Sequence, residues 1–189
     1  MRGSSEFSAH FSGWGLLQNV SLLIDVITFQ IRNGGTNIPL IKKFKNKKAL
    51  VNIKNNDEKC FLWCVLFHFF SKNVKKGKQD LAESYLPYKK VFQFENIKFP
   101  ITTKDVTKFE KINLKHDISI NVYTYLRGKF GILRIAKEEK TKHIDLLLLE
   151  RADTFHYVYI TNLSRLVRPQ ITKTKQTIHL CRKCFSHFY

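Results

Sequence analysis

Residues Asn55 to Phe70 read NNDEKCFLWCVLFHFF, a polar turn running straight into a stretch whose one polar side chain beyond the cysteines is His68. The pattern predicts a helix that begins at Cys60, and a helix apolar on every side is a buried one. Cys60 then falls in its first turn, where unpaired backbone N–H groups and the positive end of the dipole lower a thiol's pKa and offer donors to an oxyanion. The expectation is a nucleophilic thiol where a central helix opens onto the surface. The alternative is that Cys60 and Cys64 are ordinary buried thiols, one helical turn apart on one face.

Working upstream, Ala49 to Ile53 reads as a short strand entering that turn, and the basic run Lys42 to Lys48 as a solvated face or a phosphate-contacting strip. Asn33 to Thr36, NGGT, is a predicted turn. Leu16 to Ile31 carries Gln18, Asn19 and Asp25 and is too short to span a bilayer, so an amphipathic or partly buried element is expected. The opening MRGSSEF resembles an expression-vector remnant, no signal peptide is evident, and 1–15 is taken as a tag-like or flexible leader.

Downstream, Ser71 to Lys90 is a lysine-rich connection, and Thr103 is the expected cap of a helix through Ile112 with Val106 and Phe109 inward. Strand-like runs follow at Ile118 to Leu126, Gly131 to Ile135, His143 to Leu149 and His156 to Thr161. The last two make a hairpin in which Leu149 faces His156 and, counting back, His143 lies near Asn162. The fold class is α+β, a central helix packed on an antiparallel sheet, with the domain over 16–168 and a linker and tail over 169–189.

Thirty-three Lys and Arg against fifteen Asp and Glu give a net charge of +18, over 189 residues that are 43% hydrophobic. That is enough apolar chain for one sizeable core, and enough charge to attract nucleic acid non-specifically. Four cysteines, two of them in a terminal CxxC, do not form a disulfide framework, and an intracellular setting, cytoplasmic or nuclear, fits them. No membrane partner and a monomeric state are expected.

A thiol nucleophile needs an imidazole to take and return its proton, and a carboxylate or amide to fix that ring. His143 has two candidate orienters, Asp145 on the same strand face and Asn162 across the hairpin. His156 is the alternative base, with Asp153 three residues earlier. The aromatics follow core-like periods and are not interleaved with basic runs as base-stacking platforms would be.

Asp57-Glu58-Lys59-Cys60-Phe61-Leu62-Trp63 resembles the nucleophile motif of the ovarian-tumour (OTU) cysteine proteases, within the papain-like class, with Glu58 in place of the motif's glycine. His143-Ile144-Asp145 followed by leucines resembles the family's second motif, with Ile144 in place of an aromatic. The resemblance implies Cys60 as nucleophile, His143 as base, Asp145 as orienter, and Asp57 shaping the turn of the oxyanion hole. His156-Tyr157 also has a histidine-aromatic dipeptide, an alignment that makes His156 the base. Over nearly the whole chain, NIPLIKKFKNKKALVNIKNNDEKCFLW, KFEKINLKHDISINVY, HIDLLLL and HYVYITNLSRLV resemble a domain of Polinton/Maverick-type DNA transposon proteins. That domain is similar to OTU-like and herpesvirus-tegument-like proteases.

These likenesses imply a papain-like fold and a peptidase acting on ubiquitin or a polyprotein, with no cofactor. The competing expectation is a basic nucleic-acid-binding or catalytically degenerate docking module. At the C-terminus, Cys181 and Cys184 begin like a zinc finger that His179 and His187 would have to complete. The first expectation there is a truncated module whose tail is disordered or docks weakly, with metal on Cys181 and Cys184 as the alternative.

Overall fold

A computed structural model describes residues 33–34, 37–151, 154–173 and 177–188. The expected leader over 1–15, the amphipathic element over 16–31 and the orienter Asp153 lie outside the described residues. Among those described, no helix is long and apolar enough to cross a membrane.

The chain runs through strand β1 (Asn33–Gly34), helix α1 (Lys42–Lys45), β2 (Leu50–Val51), α2 (Cys60–Phe70), α3 (Thr103–Ile112), β3 (Ile118–Leu126), β4 (Lys129–Arg134), β5 (Lys142–Arg151), β6 (Thr154–Ile160), α4 (Leu163–Ile171), β7 (His179–Leu180) and β8 (His187–Phe188). Short 3-10 turns fill the lysine-rich connection after α2. The architecture is α+β, and the main sheet has the order β1-β6-β5-β3-β4, with β2 also on β6. It is mixed, which corrects the antiparallel sheet expected from the sequence: β3 lies parallel to β5, and β1 parallel to β6. Parallel neighbours need a long crossover, and here the chain leaves β3 through the antiparallel β4 before returning as β5.

The β5–β6 hairpin has the expected register, Leu149 opposite His156 and Leu146 opposite Tyr159. Strand alternation then sorts the core into two layers. Tyr157 and Tyr159 turn towards α2: Phe61 meets Tyr157 edge-on at 5.5 Å and Phe109 of α3 at 5.2 Å, and Phe67 meets Tyr159 at 4.7 Å. The opposite face gathers Tyr123, Leu147, Leu149, Val158 and Ile160 with Phe44 of α1 and Leu163, Leu166 and Val167 of α4. Burying one such aromatic is worth roughly 1.5–3 kcal/mol.

Helix α2 begins at Cys60 as its sequence predicts, and all seven residues from Cys60 to Leu66 are buried. Helix α3 is capped by Thr102, one residue before the expected Thr103, in a reciprocal capping box with Asp105. Asn33 and Gly34, expected in a turn, pair with β6. Helix α4 runs through Pro169 to Ile171, past the expected boundary at 168. The tail over 177–188 folds back on the sheet, contrary to the disordered or weakly docked expectation: Phe185 stacks on Tyr123 at 5.7 Å, Ile178 is buried, and Arg182 reaches Asp145.

Candidate active site at the edge of β6

Strand β6 pairs with β5 along one edge. Along the other it meets β1 at Thr154 and Phe155, and β2 at Tyr159 and Ile160. Between them the Tyr157 peptide is met by helix α2. Its N–H donates to Cys60 Sγ at 3.5 Å, and its carbonyl accepts from Cys64 Sγ at 3.4 Å. The i, i+4 spacing of the two thiols is what lets one helix face cap both groups of one residue.

The turn before Cys60 is fixed by Asp57. Its Oδ1 accepts from the Lys59 N–H at 3.0 Å, the Trp63 indole at 2.8 Å and the Asn55 amide at 3.1 Å. Tying Trp63, one turn into the helix, to the loop ahead of it holds the first N–H groups of α2 in position, and those of Cys60 and Phe61 bear on the sulfur.

Two sequence expectations about this thiol are corrected. Cys60 is 2% exposed, so the sulfur is enclosed rather than open on the surface. Burial pushes its pKa up to about 12, with Asp57 adding to the rise, and the N–H groups of Tyr157, Phe61 and Cys60 oppose it without prevailing. Desolvation therefore outweighs the helix terminus, and the thiol is protonated at neutral pH. Cys64 is raised as well, by burial and then by Cys60.

His156 immediately precedes Tyr157, so bond geometry puts its α-carbon within about 6 Å of the Cys60 sulfur, but strand alternation turns its side chain, with those of Val158 and Ile160, to the sheet face away from α2. The ring, fully buried, sets Nε2 2.7 Å from Asn52 Oδ1. The Asn52 amide is oriented by its own Nδ2, which donates to the Ile38 carbonyl at 2.9 Å. Nε2 must then carry the proton, which leaves the imidazole lone pair on Nδ1. Asn52 escapes sequence reasoning because it sits 104 residues from His156, and only the pairing of β2 with β6 brings them together.

His143 stands elsewhere. It lies at the start of β5, on the same sheet face as His156 but towards the open end of the hairpin, where Leu147 on its strand face packs in the α4 layer. Its Nδ1 is 2.7 Å from Ser119 Oγ, while Nε2 is 3.1 Å from both Asp145 Oδ1 and the Asn121 amide. Asp145 Oδ2 accepts from Arg182 Nε at 3.0 Å. Burial works to raise the Asp145 pKa, but the hydrogen bonds and charges of His143 and Arg182 outweigh it and hold the carboxyl low. Asp145 is thus bonded to His143, but the pair is not brought to Cys60.

Asn162 does not meet His143 either. Its side chain caps α4, accepting from the Arg165 N–H at 2.8 Å. Cys181 and Cys184 form an exposed knuckle between β7 and β8, and among the described residues no group of three or more His, Cys, Asp or Glu side chains is placed to hold a metal ion. Cys184 is held below the ordinary thiol range by the Ser186 hydroxyl and N–H and by Cys181. No family model matches the chain, and no curated protein or solved structure shows significant similarity to it.

Proposed function

We propose that the chain is a papain-like cysteine peptidase in which Cys60 is the nucleophile, His156 the base and Asn52 the orienter, hydrolysing a peptide or isopeptide bond. The observation that carries this reading is the meeting of three elements at one peptide: the Cys60 sulfur on the Tyr157 N–H, with the preceding His156 locked in a single tautomer by Asn52. The order of roles differs from the first sequence alignment, in which His143 and Asp145 served. Both nitrogens of His143 are engaged by neighbours.

In this mechanism the His156 ring turns round the edge of β6 towards the sulfur, and its Nδ1 takes the proton from the thiol as sulfur attacks the carbonyl carbon. The C–N bond then breaks as the same nitrogen returns that proton to the leaving amine, and water releases the acyl group by the reverse sequence. The N–H groups at the start of α2, braced by Asp57, face the developing oxyanion. Because the thiol is neutral at rest, proton transfer accompanies attack and no preformed ion pair is used. Ubiquitin, with its small C-terminal residue, is the first candidate substrate on the strength of the sequence resemblance. A reducing compartment, cytoplasmic or nuclear, suits an enzyme whose four cysteines are all thiols.

A second reading has an observation of its own. The 2% exposure of Cys60 and its raised pKa also suit a thiol kept as a clamp on Tyr157, in a docking module without catalysis. Incubation with ubiquitin carrying a C-terminal thiol-reactive group separates the two. A covalent adduct in the native protein that is lost in Cys60→Ala and His156→Gln, and kept in His143→Gln, is the result expected. No adduct, or one retained by Cys60→Ala, overturns the peptidase reading in favour of the clamp.

A further inference from the structure

Beyond the Cys60 region, the basic run and α4 enclose a cavity of about 610 Å³ lined by Lys47, Asn162, Ser164, Arg165, Arg168 and His179 among others. A second hollow of about 520 Å³ shares Asn162, Ser164 and His179 with it, so the two form one groove between the start of α4 and β7. No acidic side chain lines the larger hollow, and the one carboxylate in the lining of the second, Asp145, is paired with Arg182. Exposed Lys42, Lys43, Lys45 and Lys48 continue the positive surface from its rim.

The cations here are held in place rather than loosely solvated. Lys47 Nζ donates to the Leu166 carbonyl and sits 5.5 Å from the Phe130 ring centre, while Lys43 donates to the Tyr125 hydroxyl at 3.0 Å. Burial first, then the charges of Lys43 and Arg168, lowers the Lys47 pKa: like charges are packed together at a cost that an anion would relieve. The overall balance of +18 draws polyanions towards the molecule at long range.

We infer that this groove binds the phosphodiester backbone of a nucleic acid, with Lys47, Arg165 and Arg168 contacting phosphates and the lysines of α1 extending the track. A polymer fits better than a single phosphate because the positive strip runs on beyond the cavity through the exposed lysines of 42–48. Bases play no part in this contact, so binding is insensitive to sequence and strongly sensitive to salt. The site is separate from the Cys60 region and does not depend on catalysis there.

The test is fluorescence anisotropy of the full chain with a labelled duplex DNA and, in a parallel arm, a labelled single strand, across a salt series. Ser164→Asp with Arg165→Glu places negative charge in the groove, and an acid in the first turn of α4 favours that helix. Lys75→Glu with Lys76→Glu makes a larger change of net charge on an exposed loop elsewhere. The groove variant is expected to bind about tenfold or more weakly, with a log–log salt slope shallower by about one unit for each phosphate the groove no longer neutralises, and the loop variant by less than about threefold. The arm that binds more tightly identifies the form of nucleic acid. Equal weakening by the two variants, or no binding of either probe by the native chain, overturns the inference. Arg165→Glu alone serves as the groove variant should the double substitution unfold.

Discussion

The two ends of the β5–β6 hairpin each carry a histidine, and the two rings are held in different ways. At the His143 end the imidazole is shared among Ser119, Asn121 and Asp145, and Asp145 passes the connection on to Arg182 in the terminal hairpin. At the His156 end Nε2 is tied to Asn52, beside a peptide that a thiol already touches. The His143 ring, shared among three neighbours on two strands, is a joint between strands, whereas at His156 the Asn52 amide sets the tautomer of a ring next to the peptide that Cys60 touches. The lesson is that proximity to a carboxylate, the signal that favoured His143 in the sequence, marks a satisfied structural residue as readily as a base.

The sharpest way to break this comparison is to exchange the two rings for glutamine. His156→Gln is expected to lower kcat on a ubiquitin conjugate by about 10²–10⁴, and His143→Gln to leave turnover close to native while lowering the melting temperature. A reversal of the two results would return His143 to the base. Asn52→Ala, which frees the His156 tautomer, is expected to cost about tenfold or more in kcat with KM little changed. A change confined to KM would make Asn52 a substrate contact instead.

Smaller effects sharpen the other end. Asp145→Asn is expected to cost about 1–3 kcal/mol in denaturant unfolding, since it removes the carboxylate from a largely buried pair with His143. The carboxyl is held low in the folded state, so its stabilisation is complete above the ordinary carboxylate pKa near about 4 and is lost as pH falls through the folded value. The variant should therefore show a flatter acid limb than the native chain. Least costly to test is thiol labelling. At neutral pH, iodoacetamide should modify the exposed Cys184, whose thiol is held low, well before the enclosed Cys60, as read by peptide mass mapping. Rapid labelling of Cys60 in the free protein would show the sulfur to be open.

Much of the fold was legible because its signals are local. The apolar run fixed the start of α2 at Cys60, a strand-like run between turns located β3, and the symmetrical loop between β5 and β6 gave the register of Leu149 with His156. The parallel pairing of β3 with β5 was hidden, since the sequence places strands but not their neighbours. The site was legible in part. Cys60 and Asp57 announce a helix entry, and His156 was visible as the alternative base. Asn52 was not, because its partner is set by the pairing of a two-residue strand. The state of the thiol was misread for a physical reason: helix-terminus arguments assume a solvated end, and the α2 terminus is sealed against β6.

That seal bears on more than chemistry. A stretch of strand left without a neighbour is where chains begin to join one another into aggregates. Between β1 and β2 that stretch is met, among the described residues, by two sulfur atoms. Replacing both thiols, in Cys60→Ala with Cys64→Ala, would uncover it, and that variant should aggregate faster than the native chain, whereas peroxide meets the exposed Cys184 before the enclosed pair.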